Sequence, residues 1–337
     1  MSIHFEKFPV PFGFQILRKR AKVNPLIINY HIVSDNDLPY INQLYKYRSV
    51  ERFIEDIDFF ISEFQLIGLN ELLKSIEGNT VLPQNAAILT FDDGFKEIYE
   101  VIAPILLEKK ITATFFLTSD FIDNKSLNHD NKQSLVINHL NKQNNFEINR
   151  QVVQILDKQG IPGDDYGERI LNIPYLKCFV VDEIASLLDL DFGQLLRNDP
   201  IYVTSVQIMQ LLDWGFTIGG HSKDHARFDE LSVDDQIDQT LTSVNDLVEK
   251  FSLPYRVFAF PYTDMNVSSG YFQKVSGRID ATFGTQGLLE DPIHNNFQRI
   301  SVEKYPYSAR RILKYHYIRK IIYDLFKKGT VKRPYQP

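Results

Sequence analysis

The chain has 337 residues, 44% of them hydrophobic, a formal net charge of −6 and a single cysteine, Cys178. Such a length and apolar share support one barrel-sized domain with an insertion, or two smaller domains. The acidic balance argues against nucleic acid as the main partner, and one cysteine excludes both an internal disulfide and a multi-cysteine metal site.

Residues 1–24 read as an irregular arm or short helix, since Pro9, Pro11 and Gly13 limit regular structure. Arg18, Lys19, Arg20 and Lys22 follow the apolar residues of this segment instead of preceding them. That order is wrong for a secretory signal peptide, and no later window offers the apolar span of a transmembrane helix, so a cytoplasmic protein is expected. Residues 25–30 (Pro-Leu-Ile-Ile-Asn-Tyr) predict a buried strand with His31 at its end. Phe53, Ile54, Ile57, Phe60, Ile61 and Phe64 recur at helical spacing and predict an amphipathic helix over 49–65. Residues 66–73 read as a short strand and turn.

The run Ala-Ala-Ile-Leu-Thr-Phe at 86–91 has no alternating polar face and reads as a fully buried strand. Asp92, Asp93 and Gly94 follow it. Gly94 permits a tight turn, which leaves both aspartates at the carboxyl end of the strand, where α/β barrels carry their chemistry. Two like charges this close to a core are costly unless a cation or proton separates them. An Asx cap onto the next helix is the structural alternative for an isolated Asp-Asp-Gly. A helix over 97–109 and a strand over 113–117 then complete a βαβ rhythm and predict a parallel sheet.

From about 124 to 203 the sequence turns polar and rich in Asn and Gln, with helical candidates at 151–159 and 181–188. This stretch reads as a helical insertion, either shaping a substrate cleft or acting as a spacer. The rhythm returns with a helix over 205–214, a strand over 216–220 leading into His221, and a helix that starts with a capping-box-like Ser232 and runs to 251. Strands are predicted over 257–260, closed by Pro261 and Tyr262, and over 280–284 and 297–302. Residues 308–328 form a basic amphipathic helix, expected to pack on the barrel with a solvated basic face. Peripheral contact with a membrane surface is the alternative role for it. The domain layout is thus an arm over 1–24, a barrel over 25–307 with the insertion inside it, and a basic helix and tail over 308–337.

His221 and His225 stand four apart, a spacing that brings both imidazoles to one face of a helix or helical turn. Two histidines and one carboxylate form a facial ligand set that leaves positions open for water and substrate. A His-x-x-x-His pair alone is a weak signal. Its position after a buried strand and two glycines, on the rim that carries Asp92 and Asp93, makes it a stronger one.

Three stretches in order, Thr90-Phe91-Asp92-Asp93-Gly94, His221-Ser222-x-x-His225 and Phe258-Ala259-Phe260-Pro261-Tyr262, resemble successive motifs of the polysaccharide deacetylases, the NodB-homology domains of carbohydrate esterase family 4. The likeness extends from about Leu26 to Val302, the insertion excepted. It implies a distorted (β/α)7 TIM-like barrel with a helical insertion, in a hydrolase that removes N-acetyl groups from amino sugars. It also implies one divalent metal ion, zinc or a first-row neighbour such as cobalt, nickel or iron, held by Asp93, His221 and His225. Asp92 then takes the role of general base, and the backbone N–H of Tyr262 that of oxyanion donor. The implied partner is an N-acetylated polysaccharide, oligosaccharide or lipid-linked glycan.

The sequence departs from the family's commonest pattern in two places. Ala259 stands where an arginine is usual, and the strand region 296–302 lacks the late histidine that serves as general acid. Tyr30-His31 is similar to the subgroup that includes poly-N-acetylglucosamine deacetylases, in which an early histidine stands in for the late one. His31 is therefore the candidate acid, with His294 in reserve, and Arg299 the candidate for orienting Asp92. A sugar-binding protein that has lost turnover and an O-acetyl esterase are the competing functions on the same fold. His4, His129, His139, His316 and Trp214 read as structural.

Overall fold

The computed structural model describes residues 12–143, 145–303 and 306–334. The parts of the N-terminal arm that contain His4, Pro9 and Pro11 lie outside the described residues. The arm's next segment is a short helix, Phe14–Ala21, which buries Phe14 and Leu17 against the C-terminal helix and the helix Val50–Glu63.

Among the described residues, nine parallel strands form the core: β1 (Leu26–Tyr30), β2 (Gln65–Leu66), β3 (Ala86–Phe91), β4 (Thr114–Leu117), β5 (Thr217–Gly220), β6 (Val257–Ala259), β7 (Ala281–Gly284), β8 (Asn296–Gln298) and β9 (Ile300–Ser301). Eight of them follow one another in the order β8-β7-β6-β5-β4-β3-β1-β9, and β2 pairs with the first residues of β3, ahead of the point where β4 joins. Since β8 and β9 are parted in sequence by Arg299 alone, the sheet curls into a nearly closed barrel whose last strand pairs with β7 through its first half and with β1 through its second. Counting that interrupted strand once gives seven positions. The register is tight beneath the catalytic rim: Asn29 lies opposite Thr90, and Tyr30 opposite Phe91.

β1 and β3 are buried along their whole length, as expected for strands covered on both faces. Helices cover the outside. In Val50–Glu63, Phe53, Ile57 and Phe60 face the sheet, and Ser49 caps the helix by accepting from the Arg52 N–H. Trp214 stacks on Tyr99 on the outer surface and is structural. Residues 66–73 differ from expectation: past Leu66 the chain enters a helix, Leu69–Ile76, opened by Gly68 and held by the Glu71 carboxylate on the Gly68 N–H. Its apolar spacing, Leu69 and Leu72, is helical, and the short window hid it.

Among its described residues the insertion holds five α-helices, His129–Gln143, Phe146–Lys158, Tyr166–Leu171, Phe179–Leu187 and Phe192–Asn198, where the sequence suggested two helices. They share a small apolar core of their own that includes Val136, Leu140, Val152, Leu156, Ile170, Val181 and Ile184. A second cluster joins the insertion to the barrel through Ile41, Phe95, Phe121, Leu127, Leu135 and Tyr202. Thinly spread apolar residues at helical spacing suffice here because each helix buries one narrow stripe.

The helix Ala309–Leu325 buries Ala309, Ile312, Leu313 and Tyr317 and leaves Ile322 and Leu325, with Phe326 just beyond, exposed at its far end. No helix among the described residues is long and apolar enough to cross a membrane. Beyond this helix the tail folds back along the loops that follow β6 and β7. Arg333 bonds the backbone carbonyl and carboxylate of Asp264 and the carboxylate of Asp291. Gln298 and Asn296 complete the shell around the fully buried Asp264.

Burial opposes ionisation of Asp264, and Arg333 with the surrounding donors outweighs it, holding the carboxyl below its ordinary value. Stability from this group is therefore present above the unfolded carboxylate pKa of about 4 and is lost as pH falls through the lower folded value. Replacing Arg333 with Gln is expected to cost about 3 kcal/mol near neutral pH in urea unfolding. The difference from the unmodified protein should shrink toward pH 3. An equal loss at both pH values would contradict this pairing.

Candidate active site

The functional side chains proposed from sequence gather at the carboxyl ends of the strands, around a cleft of about 530 Å³. His31 follows β1, Asp92 and Asp93 follow β3, His221 follows β5, Tyr262 lies three residues beyond β6, and Arg299 divides β8 from β9. All seven residues, Asp92, Asp93, His31, His221, His225, Tyr262 and Arg299, line that cleft. His294 does not; it is exposed on the loop before β8. His129 is buried with Nε2 on the Ile173 carbonyl, His139 pairs with Gln143, and His316 is driven to a pKa of about 4 by burial and by Arg319.

The turn after β3 separates the two aspartates. Asp93 has φ +74° and Gly94 φ +79°, and a Cβ on Gly94 would stand 3.0 Å from the Leu117 side chain. Left-handed backbone of this kind favours Gly and tolerates Asp. It lets two neighbours enter the same cleft with different partners. Asp92 takes a two-pronged guanidinium contact, Arg299 Nη1 to Oδ1 at 2.7 Å and Nη2 to Oδ2 at 2.8 Å, and Asn29 Nδ2 donates to Oδ2 at 3.1 Å. Arg299 is itself buried and further bonds Asn29 Oδ1, Thr90 Oγ1 and the Gly284 carbonyl. Burial would raise the Asp92 pKa; Arg299 and then His221 overcome it and hold the carboxyl below its usual value.

Asp93 meets the histidines instead. Its Oδ1 lies 3.3 Å from His221 Nε2 and 3.2 Å from His225 Nε2. The segment that delivers them is a loop, not the helical turn the spacing suggested. Ser222 and His225 both have positive φ (63° and 61°), and Ser222 Oγ accepts from the His225 N–H at 2.9 Å. The loop is pinned by His221 N–H to the Leu117 carbonyl and by Ser119 and Asp120 N–H to the carbonyls of Ser222 and Lys223. A side chain three residues ahead thus closes the turn, as Ser does outside helices.

His221 Nδ1 donates to the Ala259 carbonyl at 2.9 Å, so its Nε2 carries a lone pair toward Asp93. Asp93 Oδ1 is buried without a hydrogen bond of good geometry, and the ligand atoms of the three residues all lie within 4.8 Å of one another. Donor atoms about 2.1 Å from a common ion would stand about 3.0–3.4 Å apart, the spacing of Asp93 Oδ1 from each imidazole Nε2. Burial lowers the His225 pKa, but Asp93 raises it further, and Asp93 is held well below the carboxylate range against its own burial. A positive charge is favoured among these three groups, whether as a proton on His225 or as a divalent cation. The buried N/O donor set fits such a cation without fixing which.

His31 hydrogen-bonds through Nδ1 to Glu303 Oε1, while the His31 backbone N–H donates to Glu303 Oε2 at 2.8 Å. Burial pulls the His31 pKa down; Glu303, with Asp93 and Asp92 behind it, leaves it raised. Tyr262 has φ +51°, packs its ring 4.6 Å from His225 and under the Arg227 guanidinium at 4.4 Å, and donates its hydroxyl to Asp130 at 2.9 Å. Its backbone N–H has no acceptor among the described residues.

Glu303, Asn29, Asp130 and Arg227 went unnoticed in the sequence. Asn29 did carry a signal, as the one amide inside an otherwise apolar strand, and Glu303 follows the last strand just as His31 follows the first. Asp130 carried none, because the insertion's placement over the cleft is a long-range fact, and Arg227, two residues past His225, has no motif of its own to mark it.

A family model described as polysaccharide deacetylase matches residues 80–153, which contain Asp92 and Asp93. Among solved structures the chain is similar to the Streptococcus pyogenes deacetylase PplD in complex with acetate, at 12% identity over 86% of this chain and 96% of that one, with a TM-score of 0.54. IcaB from Ammonifex degensii is similar at 15% identity over 87% and 96%, TM-score 0.54. A de-N-acetylase from Aggregatibacter actinomycetemcomitans is similar at 14% identity over 86% and 98%, TM-score 0.53. At these identities the structural likeness is one of fold. No curated protein sequence matches this one.

If the Asp93–His221–His225 set holds a cation, elemental analysis should find close to one divalent ion per chain. His225→Ala should lower its affinity by at least about tenfold, by analogy with the cost of losing a shell partner. Undiminished metal content in that variant would refute the ligand set.

Proposed function

We propose that this chain is a carbohydrate deacetylase of the polysaccharide deacetylase family, whose model matches residues 80–153, and that it carries out metal-dependent hydrolysis of N-acetyl groups on the amino sugars of a polysaccharide, oligosaccharide or lipid-linked glycan. The observation that carries this reading is the division of two adjacent buried carboxylates, Asp92 on Arg299 and Asp93 on two imidazoles, over one cleft. Asp93, His221 and His225 would hold a divalent cation, which when bound would supply Lewis acidity to polarise a carbonyl and to bring the pKa of a water toward about 7.

The chain's own groups do the rest. Asp92, whose ionised form Arg299 favours, accepts the proton of the attacking water at Oδ2, the oxygen that lies 4.0 Å from His221 Nε2. Arg299 and Asn29 keep that carboxylate from rotating. The Tyr262 N–H donates to the oxyanion that forms at the acetyl carbon, and its strained φ is held by Asp130, Arg227 and His225 around the ring. His31, with Nδ1 committed to Glu303, presents Nε2 to the cleft and donates a proton to the departing amine. The raised His31 pKa favours the protonated form that this step requires. A leaving amine needs that proton more than the alkoxide of a sugar ester does, so the His31–Glu303 pair favours amide hydrolysis over O-acetyl esterase chemistry.

Asp92→Asn should leave metal content unchanged and lower acetate release from an N-acetylated oligosaccharide by about 10²–10⁴-fold. His31→Ala should slow that substrate far more than an activated acetyl ester. Equal slowing of both, or of neither, would remove His31 from the role of acid. Arg299→Gln should move the acid limb of the kcat/KM profile to higher pH, because burial, the largest influence on Asp92, then acts unopposed by the guanidinium. An acid limb that stays in place would show that it does not report Asp92.

A further inference from the structure

The insertion's segment 171–179 carries three large apolar side chains in water: Leu171 is 39% exposed, Leu176 63% and Phe179 52%. Isolated exposed apolar residues are ordinary on a surface, but a group beside a cleft marks a binding face. Leu171 lines the catalytic cleft itself. The turn that carries Leu176 is tied to the same rim by two contacts on the metal-ligand loop and its continuation, and Phe179 stands three residues further along the chain. Tyr175 donates its hydroxyl to Asp224 Oδ2 at 2.8 Å, and the Leu176 N–H donates to Glu230 Oε2 at 3.4 Å. Asp224 is the neighbour of His225, and Glu230 pairs with Arg227, another cleft residue.

Local geometry puts the two side chains together. The short 3₁₀ turn Tyr175–Lys177 runs into the helix Phe179–Leu187 through Cys178, whose backbone is helical (φ −54°, ψ −28°). Residues three apart in such a run lie on one side. The opposite side faces inward, where Val180 and Val181 enter the insertion's core. Leu176 and Phe179 therefore contribute nothing to that core, and folding does not account for their being apolar.

We infer that Leu171, Leu176 and Phe179 form a shelf that extends the cleft and binds sugars of the glycan beyond the immediate neighbour of the residue being deacetylated. A pyranose ring has an apolar C–H face, which packs on aromatic and aliphatic side chains, and a rim of hydroxyls. The cleft supplies polar groups for that rim, among them Asn128, Asp130 and Gln286. The occupant is thus a chain of sugars continuous with the substrate in the site, and the shelf sets a preference for long oligomers over the dimer. The shelf rests on the carbohydrate deacetylase reading.

The test uses the full-length protein with its metal, a β-linked N-acetylglucosamine dimer and the hexamer of the same linkage, and the double variant Leu176→Ser, Phe179→Ser. Both positions are exposed, so the variant should keep the unfolding midpoint of the unmodified protein. We expect the hexamer kcat/KM to fall about tenfold, through KM, with the dimer unchanged. Equal loss for dimer and hexamer, or no loss for either, overturns the shelf and leaves the deacetylase reading standing. Release of acetate from neither oligomer by the unmodified protein overturns the deacetylase reading, and the shelf with it.

Discussion

Two carboxylates side by side at the end of one buried strand have to be neutralised separately, and the architecture of the rim follows from how that is done. Asp92 and Asp93 are nearly inaccessible to water, and a charge so placed is tolerated only with a partner of good geometry. Asp92 receives a guanidinium that is buried with it. Asp93 receives two imidazoles from a loop that leaves helical geometry to bring them round. The positive φ of Asp93 makes this separation possible, because it sends consecutive side chains to different partners across one cleft.

The guanidinium explains the oddity of the last strand. Arg299 sits where β8 gives way to β9, the point at which the strand stops pairing with β7 and starts pairing with β1. A side chain at that junction points into the barrel mouth, and there it reaches Asp92, Asn29 and Thr90 together. The usual arginine of the third motif is Ala259 here. Its carbonyl instead accepts from His221 Nδ1, so the position still serves the site, through backbone. A similar doubling of roles appears at His31, whose ring and backbone N–H are both held by the carboxylate of Glu303.

Much of this was legible in the sequence because it depends on strand ends. A buried strand announces itself by an unbroken apolar run, and the residue after it stands on the catalytic rim; that logic locates His31, Asp92, Asp93 and His221. Arg299 was found from an absent histidine and the resemblance, not from its geometry. The spacing of His221 and His225 pointed to the right convergence for the wrong reason, since the turn between them is closed by the Ser222 hydroxyl and two left-handed residues. The insertion was hardest to read. Its helices bury narrow stripes against one another, so no single window is strongly apolar, and its contributions to the cleft, Asn128 and Asp130 among them, are fixed only by packing across long sequence separations. Tyr262 joins the two parts: its hydroxyl is held by the insertion and its backbone belongs to the barrel loop.

The central claim is that Asp92 and Asp93 do different work although they are neighbours. Calorimetric titration of a divalent metal into metal-stripped Asp92→Asn and Asp93→Asn proteins, run beside acetate release from the same samples, tests it most directly. The account predicts that Asp92→Asn binds metal as the unmodified protein does and is inactive, whereas Asp93→Asn loses both binding and activity. Equal metal affinity in the two variants, or acetate release by Asp92→Asn at the unmodified rate, would contradict it.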